Sequence, residues 1–168
     1  MNIIIQSTLK TLEKTKCLLN NLSDDQLSNN SVLPYKSSIG SHIRHILDFY
    51  TCIFNYDKDF RVDLTKRSRN KKVECECYSA KCYLEEVINN LVGFCIEEDE
   101  INVKVIDDLG LGQIEILYSF SALLAQANSH TIHHYAIINY ILKGLNIYFD
   151  DLEFGYNPTT PKEFLKVK

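Results

Sequence analysis

The histidines of this chain are confined to two short stretches, and their spacing indicates a metal site. His42 and His45 lie in the first stretch, and His130, His133 and His134 lie in the second. His130 and His134 are four residues apart, so both rings fall on one face of a helix. Imidazole is the commonest protein ligand for metal ions. Three rings around an open position would form a catalytic or substrate-binding centre rather than a closed structural one.

A metal-free interpretation stays open beside this one. A histidine on an apolar helix face is usually a hydrogen-bonded core residue, and five histidines can cluster by chance. Burying a polar ring without a partner costs roughly 1–3 kcal/mol, so a pair of rings in one apolar seam needs either hydrogen-bond partners or a metal. The rings could therefore form only a polar core.

Length and composition favour one compact, mainly helical domain over residues 1–168. The chain is 45% hydrophobic and 24% charged, with three prolines and six glycines. A net charge of −4 argues against a nucleic-acid partner. The sequence predicts no signal peptide and no membrane-spanning segment, so we expect a cytoplasmic protein that does not bind membranes.

The six cysteines are expected to be reduced thiols. Cys75, Cys77 and Cys82 are spaced C-x-C-x4-C, without the paired C-x2-C knuckles of a zinc ribbon. Ordinary small apolar residues are the simpler interpretation, with Cys75 and Cys77 on one face if the segment is extended.

Apolar periodicity predicts four helices. They run from about residue 2 to 22, from Ser37 or Ser38 to about 56, from about 79 to 94, and from about 119 to 143, with Gly144 as the residue after the last helix. Residues 57–77 are predicted to be irregular or partly extended. The stretches 101–107 and 112–118 predict a small β-hairpin before the last helix.

The apolar stripe of the last helix contains two of the candidate ligands. It reads Phe120, Leu124, Ala127, His130, His134, Ile138 and Ile141. His133 lies beside this stripe. It is either a hydrogen-bond donor to a metal ligand or a surface residue. On the second helix, the angular position of the apolar face favours His42 over His45 as the more buried ring.

Three segments together resemble the DinB/YfiT-like superfamily of bacterial metal-binding four-helix bundles. They are SIGSHIRHILDFY, HTIHHYAII and FGYNPTTP. The resemblance covers about residues 1–160 and implies an all-α four-helix bundle with a small β-hairpin or extended segment before the last long helix. It also implies a divalent metal ion held by His45, His130 and His134. His45 matches because it precedes Ile-Leu-Asp, whereas the helix geometry favours His42, which stays the alternative.

The chain also departs from that superfamily. Many members carry arginine, glycine and glutamine after the last histidine, where this chain has Tyr135, Ala136 and Ile137, and relatives in a less characterised branch often have a histidine where this chain has Phe49. Substrates of better-known members therefore do not transfer.

Imidazole ligands suit zinc, nickel, iron, copper and manganese to different degrees, so residue types alone do not decide between these metals. We expect zinc or nickel in the site. Three neutral rings and an open position suit a metal-dependent enzyme acting on a small molecule, and a water bound there would give a hydroxide for a hydrolase. The resemblance implies the other reaction, that of an S-transferase that uses a low-molecular-weight thiol such as bacillithiol or mycothiol. Asp48 is a candidate for orienting a ligand ring or acting as a base, or else is a solvated surface group. We also expect a homodimer. A non-catalytic bundle in which a metal joins two helices is the first rival. A metal-free binding module is the second.

Overall fold

The computed structural model describes residues 2–94, 101–161 and 163. Four long helices dominate these residues: α1 (Ile3–Asn20), α3 (Ile39–Phe54), α5 (Cys77–Gly93) and α6 (Phe120–Gly144). Two short helices, α2 (Asp24–Ser28) and α4 (Lys71–Cys75), and three strands, β1 (Arg61–Asp63), β2 (Asn102–Asp108) and β3 (Gln113–Ser119), complete the order. The prediction of a mainly helical chain is confirmed.

Polar side chains fix where the two site-bearing helices begin. Ser38 caps α3 by accepting a hydrogen bond from the backbone N–H of Ser41 at 3.0 Å. Ser119 caps α6 in the same way, accepting from the N–H of Ala122 at 3.2 Å. Each cap satisfies a backbone donor that the first helical turn leaves without a partner. The predicted starts of both helices are confirmed.

The long helices contact one another around one apolar core. α3 contacts α5 and α6, and α1 contacts the same two helices. The largest fully buried side chains of the core are Tyr50, Tyr135, Phe120, Phe154, Ile5 and Leu12. Phe154, from the segment after α6, stacks on Tyr135 with ring centroids 4.5 Å apart. Within the described residues, no helix is both long and apolar enough to span a membrane.

A small sheet lies beside the helices, with strand order β1-β2-β3. β2 and β3 pair antiparallel, with Asn102 opposite Ser119 and Asp108 opposite Gln113, so the predicted hairpin is confirmed. β1 pairs parallel to β2, with Val62 opposite Val105. The hairpin could be predicted from its own local sequence, whereas β1 forms only by pairing with a strand about forty residues away in the chain.

Several predicted boundaries were wrong. Residues 57–77 contain β1 and α4, and α5 begins at Cys77 rather than near residue 79. Gly144 is the last residue of α6 rather than the one after it, and the positive φ of 55° belongs to Asn146. A Cβ on Gly144 would lie 2.8 Å from Cγ1 of Val32, so close packing explains this glycine.

The cysteines behave as separate thiols. Cys75 and Cys82 are exposed and Cys77 is buried, so Cys75 and Cys77 do not share one extended face. The five described cysteines are all free, and none of them belongs to a potential metal-binding group. Cys95 lies outside the described residues.

Candidate metal centre

α3 and α6 pack against each other and bring the two histidine stretches together. On α6, the positions that are fully buried on the side of the histidines are Thr131 and Tyr135, whereas His130 and His134 are half-buried. The prediction that these two rings lie within the apolar seam was therefore wrong. They lie at its edge, where solvent reaches them, while Thr131 and Tyr135 of the same helix are fully buried.

Three rings converge at this edge. A ring nitrogen from each of His45, His130 and His134 lies within 4.8 Å of the others. Nε2 of His130 is 2.9 Å from Nε2 of His45 and 3.1 Å from Nε2 of His134. This is the set that the sequence resemblance implied.

His42 also reaches the cluster, but from behind it. Its Nδ1 lies 2.9 Å from Nδ1 of His134, on the side of that ring away from His130. Its Nε2 lies 2.8 Å from Oγ of Ser37, the residue before the helix cap. His42 is half-buried, as is His45, so the predicted difference in burial between them is not seen. Both rings face α6, one in the converging set and one behind it.

A guanidinium group holds the opposite end of the cluster. Nη1 of Arg67 lies 3.2 Å from Nδ1 of His45, and Nε of Arg67 donates to the carbonyl oxygen of Leu64 at 3.0 Å. Arginine can only donate hydrogen bonds. Nδ1 of His45 therefore accepts, and the proton of the neutral His45 ring is on Nε2.

This constraint sets the direction of every hydrogen bond in the cluster. Nε2–H of His45 donates to Nε2 of His130, which must accept. Nε2–H of His134 then donates to the same acceptor, since two lone pairs 3.1 Å apart would repel. Nδ1 of His134 accepts from Nδ1–H of His42, and Nε2 of His42 accepts from the hydroxyl of Ser37. Without a metal, hydrogen bonds link all four rings and every ring is neutral, whereas Nδ1–H of His130 has no hydrogen-bond partner among the described residues.

The same rings fit a divalent metal ion after the protons rearrange. Two ligand atoms about 2.0–2.1 Å from one tetrahedral ion are about 3.3 Å apart, so the observed 2.9 and 3.1 Å separations need to open by only a few tenths of an ångström. For Nε2 of each ring to bind an ion, the ring proton must be on Nδ1. His134 can then donate to His42, and His42 to Ser37. Arg67 opposes the matching change at His45.

Burial keeps the rings in their neutral form. Desolvation, strengthened by the charge of Arg67, lowers the pKa of His45 to about 4. Desolvation and the four other histidine rings lower the pKa of His134 to about 2. The pKa values of His42 and His130 are lowered by burial first and by His133 next. Neutral imidazole is the form that ligates metals.

Two other residues border the cluster. The Phe49 ring packs against His130, with ring centroids 5.2 Å apart, and covers one side of it with apolar surface. His133 is exposed, and its ring centroid is 5.4 Å from that of His134. No hydrogen bond joins His133 to the cluster in the described part of the chain. The interpretation of His133 as a surface residue agrees with this position.

Asp48 is buried, not a solvated surface group, and its bonds serve the fold. One carboxylate oxygen accepts from Arg44 at 2.9 Å and from the backbone N–H of Arg69 at 3.2 Å, and the other accepts from the Tyr83 hydroxyl at 3.0 Å. Arg44 in turn donates to Glu74 at 3.0 Å. No hydrogen bond between Asp48 and a histidine occurs in the described ranges, so its geometry gives no support to a role in orienting a ring.

Sequence reasoning missed two members of the site, Ser37 and Arg67. Ser37 was considered only as a helix cap. Arg67 lies in the stretch 57–77, which was predicted only to be irregular or partly extended. A signal was available for neither, because both reach the cluster from loops whose path depends on the rest of the fold.

No protein-family model and no curated protein matches the chain. Among solved structures, the chain is similar to a DinB-like protein from Bacillus subtilis, known from its crystal structure. The match has a TM-score of 0.64 and 20% sequence identity, and it covers 89% of this chain and 94% of that chain. At this identity the likeness concerns the fold, and it confirms at that level the resemblance seen in the sequence. The chain has the fold of a DinB-like protein.

Proposed function

We propose that this protein binds one divalent metal ion through His45, His130 and His134. The observation that carries the proposal is the convergence of three neutral ring nitrogens, each within 4.8 Å of the others, between two packed helices. Their half-buried position leaves the cluster reachable from solvent. We further propose that α1, α3, α5 and α6 make up a four-helix bundle in a single domain over residues 1–168, since each long helix contacts two others.

Metal analysis of protein purified without a histidine tag tests the proposal. After incubation with zinc or nickel and removal of the excess, we expect about one ion per chain in the wild type. His130→Ala and His134→Ala should each lose most of it. His133→Ala is the matched control, because it removes an exposed ring from the same helix turn. A wild type without bound metal, or three variants that all retain it, would contradict the assignment.

The proposed activity is that of a metal-dependent enzyme acting on a small molecule. An ion in the site would supply a Lewis acid that activates either a thiol, as in an S-transferase, or a water, as in a hydrolase. The protein itself holds the His134 ring through His42 and Ser37, and shields one side of His130 with Phe49. The sequence resemblance supports a low-molecular-weight thiol as the co-substrate, and the three imidazole donors are compatible with zinc or nickel as the ion.

Turnover assays separate these two reactions. Metal-loaded protein should either transfer a thiol such as bacillithiol or mycothiol to an electrophile or hydrolyse an ester or amide. The activity should disappear in His130→Ala and persist in His133→Ala. A protein that binds metal but turns over no member of either substrate panel would leave a metal-binding function without catalysis.

A metal-free polar cluster in a non-catalytic binding module is the second candidate. The hydrogen bonds that run from Ser37 to Arg67 favour it, because they link the rings to one another without an ion. Thermal melts with and without a chelator separate the two candidates. A metal-free cluster predicts the same melting temperature in both melts, whereas an ion that binds only the native state raises it by mass action, most of all if it joins two helices.

We also propose a homodimer and a cytoplasmic location, the latter in keeping with the free thiols of the five described cysteines. Analytical ultracentrifugation of the full chain tests the dimer. A sedimentation coefficient that matches one chain at all concentrations would exclude it.

A further inference from the structure

Arg67 is the cation of the histidine site. It is half-buried and comes from the segment between β1 and α4. Two of its N–H groups are used, by His45 and by the carbonyl oxygen of Leu64. Its Nη1 lies 3.2 Å from Nδ1 of His45, so the guanidinium lies directly against the cluster.

No carboxylate neutralises this guanidinium within the described ranges. Arg44 pairs with Asp48 and Glu74, and Arg61 pairs with Glu115. Arg67 forms no such ion pair with a described residue, and its remaining N–H groups have no described acceptor. Asp107, whose charge raises the pKa of His130, also forms no ion pair with Arg67. A half-buried cation beside neutral rings is an incomplete arrangement, since guanidinium groups bind carboxylate and phosphate bidentately.

The contact with His45 also opposes metal binding. While Arg67 donates to Nδ1, the proton of His45 stays on Nε2, the atom that faces His130 at 2.9 Å. For Nε2 to bind an ion, its proton must leave to solvent and Nδ1 must take one up, so the ring stays neutral. Nδ1–H then faces a group that can only donate, and the guanidinium must turn away. Metal binding and the Arg67–His45 hydrogen bond therefore exclude each other.

We propose that Arg67 is the binding site for an anionic group of the substrate, a carboxylate or a phosphate, and that this anion draws Arg67 away from His45 and frees His45 for the ion. The inference rests on the proposed metal site. It makes anion binding and metal binding mutually reinforcing, because each ligand removes the contact that opposes the other. A substrate that carries an anionic group would then complete the site in which it reacts.

Zinc affinity measured against a chromophoric chelator, at constant ionic strength, tests this coupling. Acetate and methylphosphonate serve as the carboxylate and phosphate-like probes, with the chelator titrated in each buffer without protein to correct for zinc binding by the probe. In the wild type, at least one probe should raise the zinc affinity about fivefold or more, the lower range of allosteric coupling. Arg67→Gln should bind zinc at least that much more tightly without a probe. The probe effect should then fall below twofold.

Arg61→Gln is the matched control, because it removes one exposed positive charge from the neighbouring strand β1 and should behave as the wild type. An anion bound directly to the ion would also raise zinc affinity, but that effect would persist in Arg67→Gln and would overturn the proposal. Zinc affinity that is equal or weaker in Arg67→Gln would overturn it as well. Arg67→Lys, which keeps the charge without the planar donor pair, should lie between the two if Arg67→Gln fails to fold.

A separate measurement decides the case in which the wild type binds no zinc at all. That outcome would reject the proposed metal function. Nitrogen-15 NMR of the metal-free protein would still report which nitrogen of His45 carries the proton. We expect Nε2–H in the wild type and a shift toward Nδ1–H in Arg67→Gln. A wild-type ring with Nδ1–H would show that Arg67 does not donate to His45 and would overturn the inference independently.

Discussion

Replacing His42 by alanine should weaken metal binding without abolishing it. In the proposed loaded site, Nδ1–H of His134 donates to Nδ1 of His42, which lies 2.9 Å away, and His42 is held by Ser37 at 2.8 Å. His42→Ala removes the acceptor that fixes both the orientation and the proton position of the His134 ring. The ligand nitrogens themselves stay in place, so the site loses its support rather than a ligand.

The expected loss is that of a residue behind a metal ligand. Removing such a partner typically costs about 10–100-fold in metal affinity. This range corresponds to about 1.4–2.7 kcal/mol of binding free energy. His134→Ala should cost considerably more, since it deletes a ligand. His133→Ala should change the affinity less than about twofold, because His133 is exposed and has no hydrogen bond to the cluster in the described ranges.

Chelator competition with zinc or nickel, on all variants under one condition, measures this order. His45→Ala is the decisive companion, because His42 and His45 were alternatives for the second-helix ligand. If His42→Ala loses as much affinity as His134→Ala while His45→Ala keeps its metal, then His42 is the ligand and the assignment is wrong. If His42→Ala matches His133→Ala, the supporting role is refuted.

Three further predictions concern stability. Asp48→Asn should lower the free energy of unfolding by about 1–3 kcal/mol in urea titration, because it removes a fully buried carboxylate that accepts hydrogen bonds from Arg44, Arg69 and Tyr83. The exposed Glu86→Gln should change it by less than about 0.5 kcal/mol, and equal losses would refute the structural role. The metal-free protein should lose stability as the pH falls from 6.5 toward 4. The pKa of His45 is lowered to about 4 in the folded state, so in this range the folded state binds fewer protons than the unfolded state. Denaturant titrations at pH 7, 6 and 5 measure the free energy of unfolding, and a value that stays constant or rises as the pH falls would contradict the prediction. Gly40→Ala should lower the free energy of unfolding by about 1–3 kcal/mol or more, because its Cβ would collide with the backbone oxygen of Glu74 in α4. Gly93→Ala is the control and should be neutral or stabilising, since nothing lies within 4 Å of its Cβ. Comparable melting temperatures for the two variants would argue against the close approach of α3 and α4.

The long helices and the core of the site were predictable because their signals are local. Apolar residues at helical spacing, with serine before α3 and α6, fix two long helices and their starts. The four-residue spacing of His130 and His134 places both rings on one face of α6. His45 came from the resemblance, since helix geometry alone favoured His42.

The parts that were missed depend on contacts distant in sequence. β1 has only three residues, and it becomes a strand because β2 pairs with it. Val62 and Leu64 are buried, but their short alternation sits in a charged segment that hid it. Arg67 follows directly, and its place against His45 is set by that strand and by the hydrogen bond to the Leu64 carbonyl. A pattern search over residue types could not find a contact created by the path of a loop.

The edge position of the rings decides what the cluster can do. Had His130 and His134 filled the apolar seam, their only partners would have been each other, and a closed structural site would have been the better interpretation. Instead, Thr131 and Tyr135 occupy the core, and Tyr135 donates to the backbone oxygen of Thr11 at 2.9 Å, so the helix is held without the histidines. Ring protons of the cluster can therefore move between nitrogens, and the rings can shift to hold an ion, at little cost to the fold. Such a site is suited to reversible ligand binding.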